Sequence, residues 1–265
     1  MWADKIAVIA GGSRGLGFHI ANEFHARGCD VVLLARTQAT VDDSVAKLNA
    51  TRKGSASGFA VDLSNDAARL KVFEKIASQL KRIDVLVNAV GQSTRVSFSD
   101  ATISNYRELM EQNFFVSIGC ALDAIPYLEK SNGFLVNIGS LSSKTGWNYL
   151  APYVTSKHAL AGFAHQLRIE GPANVKSLFV CPGPIANSDL ERYAERSEQL
   201  GDSAAKPGAG APVKAIDPKC LAKKIVDSCE RGKTELVIPL KSRLLFAITQ
   251  LWPSMGDRLI KKFCK

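Results

Sequence analysis

The sequence predicts an α/β domain in which a parallel sheet of about seven strands carries helices on both faces, a doubly wound arrangement. Three observations carry the prediction. Short apolar runs alternate with helix-patterned stretches along the 265 residues. The apolar runs lack period-two alternation, as strands buried on both faces do. A glycine-rich turn follows the first run, where a strand gives way to a helix. The chain length suits one such domain, expected to span residues 1–265 with neither repeat nor linker.

In order, the first strand is Lys5 to Ala10, and Gly11 to Gly17 is the glycine turn. The next helix pattern runs from Phe18 to Arg27 and stops at Gly28. A second strand is Asp30 to Leu34, followed by a helix over 41–51, a strand over 58–61 and a helix over 65–80. Asp84 to Val87 is the fourth strand, closed by Asn88-Ala89-Val90-Gly91. One long helical stretch covers 103–130, and Phe134 to Ile138 is the fifth strand. Pro152 suits the first turn of the helix that follows, where a missing N–H costs nothing. The sixth strand is 176–180, a helix spans 218–231, and the seventh strand is 234–238.

The hydrophobic share of 46% and charged share of 22% are ordinary for a soluble globule. Trp2 to Lys5 runs straight into the first strand, so no N-terminal signal is expected. Six scattered cysteines form no Cys-x-x-Cys pair; they read as reduced and mostly buried, in a cytoplasmic protein without a metal site. His19, His25, His158 and His165 suit helix surface or core rather than ligation. The net charge of +9 is uneven: from Leu240 onward six bases face one acid, a net +5 in 26 residues. No aromatic-interleaved basic stretch lies in the globule, which excludes a nucleic-acid reading.

Glycines at 11, 15 and 17 let the backbone of Gly11-Gly12-Ser13-Arg14-Gly15-Leu16-Gly17 turn tightly and approach a pyrophosphate at the following helix N-terminus. An acid that would grip ribose hydroxyls is missing from the end of the second strand, which reads Leu34-Ala35-Arg36. Arg36 with Arg14 suits a 2′-phosphate instead, hence NADP(H). Asp62 and Leu63, after the third strand, are placed to meet an adenine, or Asp62 and Ser64 simply cap the next helix. Asn88, Ala89 and Gly91 are placed to line the cofactor, or serve only the turn.

Ser140 follows the fifth strand, and Tyr153 and Lys157 share one helix face four residues apart. A phenol titrates near pH 10, and a cation one turn away favours its ionised form. A phenol so tuned exchanges a proton with a carbonyl or alcohol oxygen, which Ser140 would hold by a hydrogen bond.

These pieces resemble the short-chain dehydrogenase/reductase family over nearly the whole chain, within its single Rossmann domain. Gly11, Gly15 and Gly17 match its cofactor motif, with Ala10 where a threonine is usual. Asn88-Ala89-Val90-Gly91 resembles its Asn-Asn-Ala-Gly, and Asn113, Ser140, Tyr153 and Lys157 fall at its tetrad spacing. Tyr153-x-x-x-Lys157 is the one Tyr-x-x-x-Lys of the sequence. Cys181-Pro182-Gly183-Pro184-Ile185 resembles the segment beside the nicotinamide, with Asn187 where a threonine is usual. The resemblance implies Tyr153 as acid/base, Lys157 on the nicotinamide ribose, Ser140 on the substrate oxygen and Asn113 positioning water behind Lys157. Pro182, Gly183 and Ile185 would meet the cofactor. It also implies a homodimer or homotetramer through the helices at 103–130 and 152–171.

The expected activity is reduction of a ketone, or oxidation of a secondary alcohol, on a small and lipophilic substrate walled by Leu141, Trp147, Tyr149 and Leu150. The rivals are a 3-oxoacyl thioester reductase and a non-catalytic NADP(H)-binding protein. Residues 184–216 are expected to form a substrate lid. The tail, 240–265, offers helix candidates at 244–252 and 258–263 broken by Pro253. Its apolar and basic residues suit a membrane surface, or packing on a second subunit or over the pocket.

Overall fold

A computed structural model describes residues 1–186, 200 and 213–263. Seven strands form one sheet: β1 (Ile6–Ala10), β2 (Asp30–Ala35), β3 (Ala56–Ala60), β4 (Val85–Asn88), β5 (Phe134–Ile138), β6 (Lys176–Pro182) and β7 (Glu235–Ile238). Their order is β3-β2-β1-β4-β5-β6-β7, every pair parallel. The order reverses between β1 and β4, the place where open α/β sheets leave a crevice. Ala10 pairs with Asn88, Asn88 with Asn137, and Ile138 with Val180, so these strands end along one edge.

Helices α1 (Gly15–Ala26), α2 (Gln38–Asn49), α3 (Asp66–Leu80), α4 (Ile103–Met110), α5 (Val116–Ser131), α6 (Ala151–Glu170), α7 (Pro218–Glu230), α8 (Ser242–Leu251) and α9 (Pro253–Phe263) complete the described chain. Alternate residues of β1 feed two cores. Ala7 and Ile9 pack with Ile20 and Phe24 of α1 and Leu221 and Ile225 of α7. Val8 and Ala10 pack with Phe73 and Ile76 of α3 and Ala121 and Ala124 of α5. The unbroken apolar strand runs are thereby explained: every position meets a helix layer. A third cluster joins Leu141, Phe179 and Val237 to Phe246 of α8.

Several boundaries differ from expectation, among them α2, which starts three residues early at Gln38, and β3, two early at Ala56; three others have a plain cause. Helix α1 starts at Gly15, three residues early, because glycines there form its first turn. The stretch over 103–130 is not one regular helix: a π turn, Glu111–Phe115, separates α4 from α5. Pro253 breaks the tail as expected but also opens α9, where its missing N–H is harmless. Of the expected lid, 187–199 and 201–212 lie outside the described residues. Its ends are tied beside each other: Ile216 N–H donates to Pro184 O, and Ala186 N–H to Ile216 O, both at 2.8 Å.

At the opposite edge of the sheet Asp84 joins β1 to β4. Its side chain is 3% exposed, accepts from Ile6 N–H at 2.9 Å and meets Arg82 at 2.6 and 2.7 Å and Lys5 at 3.1 Å. Replacing one partner leaves a buried donor unmatched. Asp84→Ala is expected to lower stability by ~2 kcal/mol in urea unfolding; a loss under ~0.5 kcal/mol would contradict this.

Candidate active site

A cavity of about 240 Å³ opens on the edge where the strands end. Leu16 of α1, Ala89 to Gln92 after β4, Ile138 to Ser142 after β5, Tyr153 and Lys157 of α6, and Pro182 to Ile185 after β6 all line it. Ser140, Tyr153 and Lys157, predicted to work together, therefore share one cavity.

Ser140, two residues past β5, stands in extended backbone and opens the short 3-10 turn Leu141–Ser143. Its Oγ accepts from Ser142 N–H at 3.1 Å, and its N–H donates to Ser143 Oγ at 3.1 Å. The hydroxyl is thus oriented by an acceptor bond, which leaves its hydrogen to donate into the cavity. Pro152 stands in the first turn of α6, as expected, and presents Tyr153 at the cavity wall. The Lys157 ammonium lies 5.8 Å from the Tyr153 ring centre and donates to Ile138 O at 2.9 Å. Burial pulls its pKa from the ordinary 10.5 down to about 8. The fold therefore holds a cation where removing it from water is costly.

The π turn explains Asn113. An i→i+5 turn inserts one residue, and here the inserted turn carries Asn113 fully inside. Its Oδ1 accepts from Gln92 N–H at 2.8 Å. Its Nδ2 donates to Gln92 O and Ser156 Oγ, both at 2.9 Å. Ser156 Oγ in turn donates to Tyr153 O at 2.8 Å. Asn113 is not in the cavity lining; its side chain clamps the loop after β4 to α6. Gly91, at φ +152°, makes room for this. A Cβ there would come 2.8 Å from Asn113 Oδ1 and 3.3 Å from Lys157 Nζ.

The glycine turn fits a dinucleotide. Gly11 (φ +78°) and Gly15 (φ +55°) occupy left-handed backbone. A Cβ on Gly11 would press on Ala89 at 3.0 Å, one on Gly17 would strike Gly11 O at 2.1 Å, and one on Gly15 would meet nothing. The turn is thus packed behind and open in front. No side chain caps α1 and no acid lies in its first turn, so its first N–H groups suit a phosphate. Ser13 O accepts from Ser44 Oγ at 2.8 Å, which braces the turn on α2. Arg14 and Arg36 are exposed, at the start of α1 and just past β2.

Other expected contacts are placed differently. Asn88 is 1% exposed and outside the cavity lining; its Nδ2 donates to Ser117 O and Asn137 Oδ1, both at 2.9 Å. It ties β4 to β5 because the strand edge buries it. Asp62 Oδ1 accepts from Ser64 N–H and Oγ in a local turn, while α3 is capped by Asn65, whose side chain accepts from Ala68 N–H, so neither Asp62 nor Ser64 is the cap. The Ser64 bonds, then the nearby Arg36 charge, hold the Asp62 carboxyl below the usual carboxylate range against partial burial. Leu63 is buried in the core. Leu141, Trp147 and Leu150 wall the cavity, but Tyr149 does not. It stands in left-handed backbone at φ +60° and lines a neighbouring cleft with Val96 and Phe98.

Arg95, Gln92, Ser156 and Ser143 went unnoticed in the sequence. Arg95 is 4% exposed and lines the cavity, with Nη1 2.8 Å from Ser93 Oγ. A lone loop arginine gives no sequence signal. Ser156 was findable: it lies within the Tyr-x-x-x-Lys stretch itself. Among the described residues no cluster of three His, Cys, Asp or Glu is placed to hold a metal, and the five described cysteines are free thiols.

The doubly wound sheet and its switch-point cavity define a class, the open α/β proteins that bind a ligand at the carboxyl ends of their strands. Comparison with known proteins narrows it. The family model described as short chain dehydrogenase matches residues 5–199, so the chain belongs to the short-chain dehydrogenase/reductase family. Dehydrogenase/reductase SDR family member 7B of Danio rerio is 27% identical over 97% of this chain and 84% of its own length. An 11-beta-hydroxysteroid dehydrogenase-like protein of Arabidopsis thaliana, 4A, is 29% identical over 95% of this chain and 82% of its own. The crystal structure of an alcohol dehydrogenase from Thermococcus sibiricus, complexed with 5-hydroxy-NADP, superposes with a TM-score of 0.73. It covers 88% of this chain and 95% of that one at 22% identity, a likeness of fold.

Two predictions follow from the packing around Lys157. Gly91→Ala should displace the ammonium and cut turnover at least ~10-fold, whereas Gly146→Ala, with no atom within 4 Å of the added Cβ, should leave it unchanged. Equal effects would contradict the packing. Lys157 has a folded pKa of about 8, below its unfolded value, so between the two the unfolded chain holds more protons and stability rises with pH. Lys157→Met should therefore be more stable than the parent, by ~1–3 kcal/mol below pH 8, with the advantage shrinking towards pH 10. Denaturant unfolding at pH 7 and 9.5 measures this; a pH-independent difference would refute it.

Proposed function

We propose that the protein is an NADP(H)-dependent oxidoreductase that interconverts a lipophilic ketone and its secondary alcohol, with Tyr153 as acid/base. The observation that carries the reading is the convergence of Ser140, Tyr153 and Lys157 on one cavity beside the glycine turn. A nicotinamide dinucleotide along Gly11 to Gly17 would supply or accept the hydride. The Ser140 hydroxyl holds the carbonyl oxygen, and Tyr153 delivers a proton to that oxygen. Lys157, one turn along, favours loss of that proton from the phenol. Asn113 acts through Gln92 and Ser156 and is a positioning residue. Family membership makes Tyr153, Lys157, Pro182, Gly183 and Ile185 the expected contacts on the nicotinamide side.

The phosphorylated cofactor is favoured by Arg36 where an acid would serve NAD, with Arg14 at the α1 start. The lipophilic substrate is favoured by Leu141, Trp147 and Leu150 in the wall and by the hydroxysteroid dehydrogenase-like relative. Residues 184–216 would act as the lid, and subunits would pair as a homodimer or homotetramer.

Turnover of NADPH with a panel of ketones tests the reading. Tyr153→Phe should lower kcat/KM by ~10²–10⁴-fold while NADPH still binds; undiminished activity would refute the role of Tyr153. Arg36→Asp should raise KM for NADPH by ~10–100-fold and narrow its advantage over NADH. An unaltered preference would remove Arg36 from cofactor choice.

A further inference from the structure

We propose that α8 and α9 form an amphipathic ledge that docks the protein on an anionic lipid surface beside the cavity. The ledge is anchored at one point: Phe246 of α8 is 8% exposed and packs in the cluster of Leu141, Phe179 and Val237. Helix α9 lies close on α8, since a Cβ on Gly256 would come 2.5 Å from Thr249 Cγ2. Leu245, Ile248, Leu259 and Ile260 are half-buried, and the other large described apolar side chains face outward. Leu240, Leu244, Leu251 and Trp252 are 70%, 69%, 67% and 58% exposed, and Met255 44%. Leu244, Ala247 and Leu251 recur at helical spacing on α8, and all three are exposed. One face is thus apolar by pattern and covered by nothing described.

Charge selects the occupant. Lys241, Arg258, Lys261 and Lys262 are exposed and form no ion pair with a described residue. Arg243 stands 3.7 Å from Glu235, and Asp257 is the sole acid from Leu240 onward. A second copy laid on this face in two-fold fashion would bring the same bases together. Protein interfaces also deplete lysine at their core. An anionic bilayer matches both properties: it accepts the leucines and the tryptophan among its acyl chains and pairs the bases with headgroups. No described helix is long and apolar enough to cross a membrane, so the ledge lies on the surface.

Leu141 belongs both to the cluster that anchors α8 and to the cavity lining. Docking would therefore set the apolar cavity wall near the lipid, and a lipid-dissolved ketone would enter from there. That last step rests on the proposed oxidoreductase activity; the docking does not.

Co-sedimentation of the full chain with vesicles tests it, using phosphatidylcholine alone or with 30% phosphatidylserine, at low and high salt. Binding is expected to need the anionic lipid and to weaken at high salt. It should fall by ~100-fold in an Arg258→Glu, Lys261→Glu, Lys262→Glu variant and also in Leu251→Glu, Trp252→Glu. Both variants should keep turnover on a small water-soluble ketone. No binding of the parent to anionic vesicles at low salt would overturn the proposal, as would binding that survives both variants. A tail variant that dissociates a dimer while vesicle binding is absent in the parent would assign the face to a second copy. Vesicle binding without ketone turnover would uphold the docking and sink the oxidoreductase reading.

Discussion

The site depends on keeping one ammonium group, that of Lys157, out of water. A buried cation is costly, and burial has already lowered its pKa to about 8. Its hydrogen bond to Ile138 O ties it to the end of β5, the strand that delivers Ser140. Its place on α6 sets it one turn from Tyr153. The loop after β4 passes close enough that a single methyl on Gly91 would intrude at 3.3 Å. The geometry of the site and its local instability thus have one source.

The surrounding structure is arranged to hold that cation in place. The π turn costs regular helix geometry but turns Asn113 inward, where it clamps Gln92 and, through Ser156, the backbone of Tyr153. The 3-10 turn after β5 does the same for Ser140. The parallel register of β1, β4, β5 and β6 aligns these loops on one edge, so short connections suffice to assemble them.

The seven parallel strands and the helix layers were largely legible from the sequence because buried parallel strands read as plain apolar runs; their order in the sheet was not. The trio was legible because Tyr153 and Lys157 combine chemistry with helical spacing. The π turn was not: Glu111 to Phe115 carries no glycine or proline, and tertiary contacts to Gln92 and Ser156 impose it. Asn88 looked like a cofactor contact because chain position says nothing of side-chain direction; the register with Asn137 turned it inward. Tyr149 misled for a related reason, since left-handed backbone aims it into the next cleft. Arg95 stayed hidden because its importance comes entirely from burial beside the cavity.

The most direct test of the account is isotope transfer. The protein would be incubated with NADPH carrying deuterium at C4 of the nicotinamide, together with ketones from steroids to long-chain lipids. Mass spectrometry would then locate the label. The account predicts an alcohol with deuterium on the former carbonyl carbon, formed by the parent and not above background by a Ser140→Ala, Tyr153→Phe double variant. Tight binding of the cofactor with no labelled alcohol from any ketone, or label transfer undiminished in the variant, would contradict it.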